Sequence, residues 1–198
     1  MGTIIRVTAR TSASIVLNAT ESWGAPAKFF HWIVAFLILI QVALGFTAVA
    51  WRLSPLKLEL FVWHKSTGVL IMVLMLARLA WRLANRAPAL PAQTPPWERA
   101  AALASHAALY ALAIALPLSG WLINSAAGVP FSVFWLVPLP SIVAPDERLE
   151  DLAKLVHFSL LVALCLVLAV HIGAALRHHF IKRNEVLIRM LPKTWRSA

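Results

Sequence analysis

Four long apolar stretches, at about residues 29–51, 60–81, 101–123 and 152–176, alternate with short polar segments. Each holds the roughly 20 residues that a helix needs to cross a bilayer core, so the pattern predicts four transmembrane helices. A fifth apolar run, at 129–144, contains Pro130, Pro138 and Pro140. It is too short and too broken to span, and is expected to lie at the interface as a loop. Residues 84–99, with Pro88, Pro91, Pro95 and Pro96, read as a linker between two helical hairpins. The hairpins share no convincing repeat.

Composition agrees with this reading. The chain has 198 residues, 61% of them hydrophobic and 13% charged, and a mean hydropathy of +0.78, too apolar for an ordinary soluble domain. The expectation is a single integral membrane domain over 1–198. Residues 1–28 lack a continuous apolar core, so no secretory signal is expected there. Segments 1–28, 78–99 and 177–196 carry 13 Lys/Arg against 3 Asp/Glu, whereas 52–65 and 146–154 carry 5 of each. The positive-inside bias then makes 1–28 a cytoplasmic N-terminal segment and 177–198 a cytoplasmic tail. The whole net charge of +10 lies on that face, so no nucleic-acid partner is needed to explain it. The nine tryptophans, Trp23 through Trp195, fall mostly near span ends, as interfacial belts do. Cys165 is alone, which excludes a disulfide framework, a thiol metal cluster and covalent haem attachment through C-x-x-C-H.

The chemistry rests on histidine. His157 and His171 lie fourteen residues apart on one apolar helix; at ~100° per residue both rings leave one face, about 21 Å apart along the axis. A histidine in hydrocarbon is costly and marks a functional site by default, and two in register suggest two stacked cofactors. With the N-terminus inside, His64 and His157 lie below the periplasmic surface, while His31, His106 and His171 lie near the cytoplasmic one. Low-spin b-type iron takes two opposed imidazoles, which facing helices of a bundle can supply. His64 with His157 is the obvious periplasmic pair. The cytoplasmic pair is His171 with either His31 or His106, and depth leaves both open.

The fourteen-residue interval recurs from His31 to Gly45, from His106 to Gly120 and from His64 to Arg78. Glycine at that level would let a flat macrocycle approach the backbone, and Arg78 could pair with a propionate. The competing readings are close helix packing at Gly45 and Gly120, and snorkelling of Arg78 to the interface. A last group, His178 and His179 among Arg177, Lys182 and Arg183, joins His106 as a cluster of titratable and cationic groups that could move protons and stabilise developing negative charge. Its alternative is a basic helix end that complements the helix dipole.

These residues resemble the bacterial cytochrome b561 family. The resemblance runs through "KFFHW", "WHKSTG", "LASHAALYALAIALPLSGW", "KLVHFSL", "AVHIGAALRHHF" and "LIRMLP", covering most of residues 25–191. It implies an all-α membrane protein: a four-transmembrane-helix bundle enclosing two non-covalent haem b groups, with both termini cytoplasmic. It further implies His31 and His171 as iron ligands on the cytoplasmic side and His64 and His157 on the periplasmic side, and leaves His106 unassigned. The implied function is that of an oxidoreductase of the bacterial inner membrane, passing electrons between a periplasmic-side donor and a membrane quinone such as ubiquinone, for which His106, His178 and His179 with Arg177, Lys182 and Arg183 become the candidate proton and quinone site. Some relatives are similar to superoxide oxidases. An anionic donor such as superoxide benefits from positive steering, yet residues 124–147 hold no Lys or Arg. Local clusters from Arg52, Lys57, Lys65, Arg148 and Lys154 could still form a funnel. The alternatives are a cytochrome b anchor subunit for a peripheral dehydrogenase or hydrogenase, and a haem-free transporter. Membrane lipid surrounds the protein in every case.

Overall fold

The computed structural model describes residues 22–85, 87–91 and 93–191; Trp195 and the charges at Arg6, Arg10, Lys193 and Arg196 lie outside them. Among the described residues four long α-helices form: α1 (Ala25–Ala50), α2 (Pro55–Ala84), α3 (Pro96–Ala126) and α4 (Glu147–Leu176). All four are long and apolar enough to cross a membrane. Each begins four or five residues before its apolar stretch, because hydropathy marks where hydrocarbon begins and capping marks where the helix begins. Proline occupies the first turn of α1, α2 and α3, where its missing N–H costs nothing. Asp146 caps α4, its carboxylate accepting from Leu149 N at 2.9 Å. The far end of α3 closes on Gly128, at φ 66, where a Cβ would meet Pro145 Cγ at 3.0 Å; Gly128 N donates to Ser125 O.

α1 packs along α2 and α3 along α4, and the contact of α2 with α3 joins the two hairpins. Val34, Ile71, Met75 and Ala113 form the buried core, with Leu37, Tyr110 and Ile114 packed around it. Large apolar side chains such as Phe36, Leu39, Leu166 and Val170 are exposed on the outside of the bundle. That surface is what hydrocarbon, rather than water, would solvate.

The 129–144 segment is more ordered than an irregular loop. It contains a two-stranded antiparallel ribbon, β1 (Phe131–Val133) and β2 (Val137–Leu139), in which Ser132 faces Pro138. Pro138 has no N–H to give, and an isolated two-stranded ribbon tolerates it as an edge residue. The connecting turn holds Phe134 at φ 48 and Trp135 at φ 61 without a glycine, each a conformation costing about 1–3 kcal/mol. α2 offsets that strain: Ser66 Oγ accepts from Phe134 N at 2.8 Å, and the Trp63 ring meets those of Phe134 and Trp135 edge-on at 5.8 and 5.6 Å.

At its other end α4 continues into a π-helical turn, Arg177–Ile181. The wider turn brings Arg177 and Lys182 together on Glu98 of α3. Arg177 Nη1 lies 3.0 Å from Glu98 Oε1, and Lys182 Nζ 2.5 Å from Oε2.

Candidate functional site

The helices carry histidines at two levels. At one, His64 of α2 faces His157 of α4, with ring centroids 6.3 Å apart and planes at 71°. At the other, His171 of α4 stands between two rings: His31 of α1 at 6.4 Å and His106 of α3 at 5.4 Å. Two imidazoles on opposite sides of one ion, with metal–nitrogen bonds of about 2 Å, hold their centroids roughly 6.3 Å apart. His64 with His157, and His31 with His171, both have that spacing, whereas His106 stands closer. Among the described residues no three or more His, Cys, Asp or Glu side chains are arranged to hold a metal ion. Two opposed imidazoles are the ligand set of a metal whose remaining positions a macrocycle fills.

The His64/His157 level opens on an apolar cavity of about 540 Å³, whose lining includes Gln41, Gly45, Gly68, Gly120 and Phe131. A Cβ on Gly45 would lie 2.9 Å from His64 Cε1, whereas one on Gly120 would lie at an ordinary 3.6 Å from His157 Cε1. Both glycines thus lie at the level of this pair, and Gly45 alone leaves no room for a side chain. Ser119 Oγ donates to Leu116 O at 2.8 Å and stands 2.8 Å from His157 Nδ1. Gln41 Nε2 donates to the His64 carbonyl at 2.9 Å and lies 3.4 Å from His64 Nε2. His64 Nδ1 and Gln41 Oε1 are buried without a hydrogen-bond partner among the described residues. At the rim Lys65 Nζ donates to Asn124 Oδ1 at 2.6 Å and lies over the Phe131 ring.

The second level is tighter, with a cavity of about 160 Å³. Arg78 Nη2 is 3.1 Å from His31 Nδ1, and the guanidinium groups of Arg78 and Arg82 both lie over the Tyr110 ring. An arginine can only donate, so Nδ1 of His31 accepts and its proton sits on Nε2. Binding a metal at Nε2 requires Arg78 to release that ring. The segment after α4 covers this cavity: Trp32 Nε1 donates to Met190 O at 2.9 Å and Arg189 Nη1 to Ala89 O at 2.9 Å.

His178 and His179 do not line the cavity that holds His106. His178 Nε2 lies 3.6 Å from Glu98 Oε2, and its Nδ1 2.7 Å from Asn184 Nδ2; the His179 ring packs on Phe180 at 4.7 Å. Arg177 and Lys182, expected beside a quinone, are held on Glu98, whose side chain is only 7% exposed. Sequence reasoning missed Gln41 and Ser119. The signal for Gln41 was an amide in the middle of an apolar span; for Ser119 it was only the neighbouring Gly120.

Comparison with known proteins agrees with this architecture. A model of the prokaryotic cytochrome b561 family matches residues 22–193. Cytochrome b561 homolog 2 of Escherichia coli (strain K12) is 34% identical over 89% of this chain and 95% of its own length. Cytochrome b561 homolog 1 of the same strain is 30% identical over 83% and 94%. A protein of Yersinia pestis named probable superoxide oxidase CybB is 31% identical over 82% and 92%. With four helices among the described residues able to cross a membrane and a family match that covers all of those residues, the chain belongs to the prokaryotic cytochrome b561 family of membrane cytochromes, which implies haem b.

Proposed function

We propose that this protein carries electrons across the bacterial inner membrane through two haem b groups, between a donor on the periplasmic side and a membrane quinone. The observation that carries the reading is the pair of imidazole spacings, 6.3 Å and 6.4 Å, at two levels of one apolar bundle. His64 and His157 hold one group and His31 and His171 the other. When bound, haem b supplies a one-electron carrier; the protein supplies ligation, orientation and burial. At the His64/His157 level Ser119 orients one ring, Gln41 holds the backbone of the other and Gly45 keeps the space beside it open. The apolar lining keeps water from both rings. At the other level Arg78, once it leaves His31 Nδ1, is free to pair with a carboxylate of the cofactor.

The Lys/Arg-rich end, where Arg78, Arg82 and Arg189 gather near His106, is the cytoplasmic one on this reading, and the quinone is reduced there. His106, His178 and His179 are the groups proposed to serve that site. Superoxide is a candidate donor, because the relative from Yersinia pestis carries that activity in its name. Lys65 and Lys154, both in the lining of the larger cavity, are the cations such an anion would meet first. The test is a visible spectrum of purified protein, oxidised and then dithionite-reduced, with haem quantified per chain. Two extractable haem b per chain are expected; one or none overturns the two-haem path.

A further inference from the structure

The four histidines proposed as ligands differ in what holds their second ring nitrogen. His31 Nδ1 faces an arginine, and His64 Nδ1 is buried without a partner among the described residues. His157 Nδ1 instead faces a hydroxyl at 2.8 Å. That hydroxyl has one proton, and it is committed: Ser119 Oγ donates to the Leu116 carbonyl at 2.8 Å. With that proton on Leu116 the hydroxyl presents its lone pairs to His157, an arrangement that pairs with the tautomer carrying its proton on Nδ1. Nε2 is then a free lone pair. We propose that Ser119 is a positioning residue for the electron-transfer site: through its bonds to Leu116 and His157 it fixes the tautomer and orientation of His157 and increases electron donation from Nε2.

This rests on His157 being an iron ligand. A ligating imidazole whose other N–H is hydrogen-bonded is the more basic donor, and greater donation favours the oxidised metal. Removing the acceptor should raise the potential of the haem at the His64/His157 level and leave the other unmoved. The measurement is a redox titration of the purified holoprotein, with the wave of this level identified as the one lost in His157→Ala. In Ser119→Ala that wave alone should move to higher potential at unchanged haem content, and Ser119→Thr, which restores the hydroxyl, should return it. If Ser119→Ala loses haem, Ser119→Cys, a weaker acceptor of similar size, should show the same single-wave shift in smaller degree. Unmoved waves in the variants, or equal movement of both, would overturn the proposal and leave the nearby Leu116 carbonyl as what sets the tautomer. A wild-type protein without haem b would instead overturn the functional reading on which it rests.

Discussion

Gly45 and Gly120 stand at the same fourteen-residue offset from a histidine, yet their surroundings differ. A methyl group on Gly45 would meet the His64 ring at 2.9 Å, below any ordinary contact, while one on Gly120 would sit 3.6 Å from His157. Overpacking of this kind costs about 1–3 kcal/mol, equivalent to roughly 5- to 150-fold weaker retention of a cofactor at that level. Gly45→Ala is therefore expected to lose haem from the His64/His157 level during purification, and Gly120→Ala to keep it, as read from haem per chain. At the other level His106 is the residue whose role geometry alone leaves open. His106→Ala should retain both haems, whereas His31→Ala and His171→Ala should each lose one. Haem loss in His106→Ala together with retention in His31→Ala would make His106 the ligand.

Two elements depend on contacts that their own sequences do not contain. The β1–β2 turn places two aromatic residues at positive φ and is held against α2 by Ser66 and Trp63. Each aromatic pair adds about 0.5–1.5 kcal/mol beyond its burial. Trp63→Ala should therefore free the ribbon, detected as faster proteolysis within residues 129–144 with the four helices intact. At the opposite end Glu98 pairs with Arg177 and Lys182 from the continuation of α4, with His178 Nε2 3.6 Å away, and burial of the carboxylate limits the screening that weakens fully exposed pairs. Glu185, with a side chain 71% exposed, pairs with Arg189 at 3.6 Å. Glu98→Gln should lower the thermal midpoint measurably and Glu185→Gln hardly at all; equal effects would show that enclosure of Glu98 contributes nothing.

For the whole molecule, charge is sorted by end while the histidines are sorted by depth. Val34, Ile71, Met75 and Ala113 form a compact core, and the two cavities that the histidines line are where the proposed cofactors complete the packing. The proposed quinone site belongs to this scale, because it draws on α3, the end of α4 and the turn beyond. His178→Ala and His179→Ala, assayed separately with a water-soluble quinone analogue, should slow quinone reduction at unchanged haem content. Wild-type rates in both would move the search to the His64/His157 level.

The number of spans, their approximate limits and the fourteen-residue spacing of His157 and His171 were all legible in the sequence, because hydropathy and helical periodicity are local properties of a chain. The same periodicity placed Gly45 and Gly120 fourteen residues from their histidines. It could not say that only Gly45 lacks room for a methyl group, since that depends on how α1 is rotated against α2. Depth left His31 and His106 as equal partners for His171. Their ring separations of 6.4 and 5.4 Å come from the lateral arrangement of α1, α3 and α4, which no single helix encodes. The hairpin was hidden because its strained turn is held by Trp63 and Ser66, about seventy residues earlier. The bonds from Ser119 to His157 and from Arg177 and Lys182 to Glu98 likewise join residues remote in the chain. Sequence by itself determined what each helix contains and which face carries it; only tertiary structure decided which side chains meet, because helix pairing and rotation are settled by packing across the bundle.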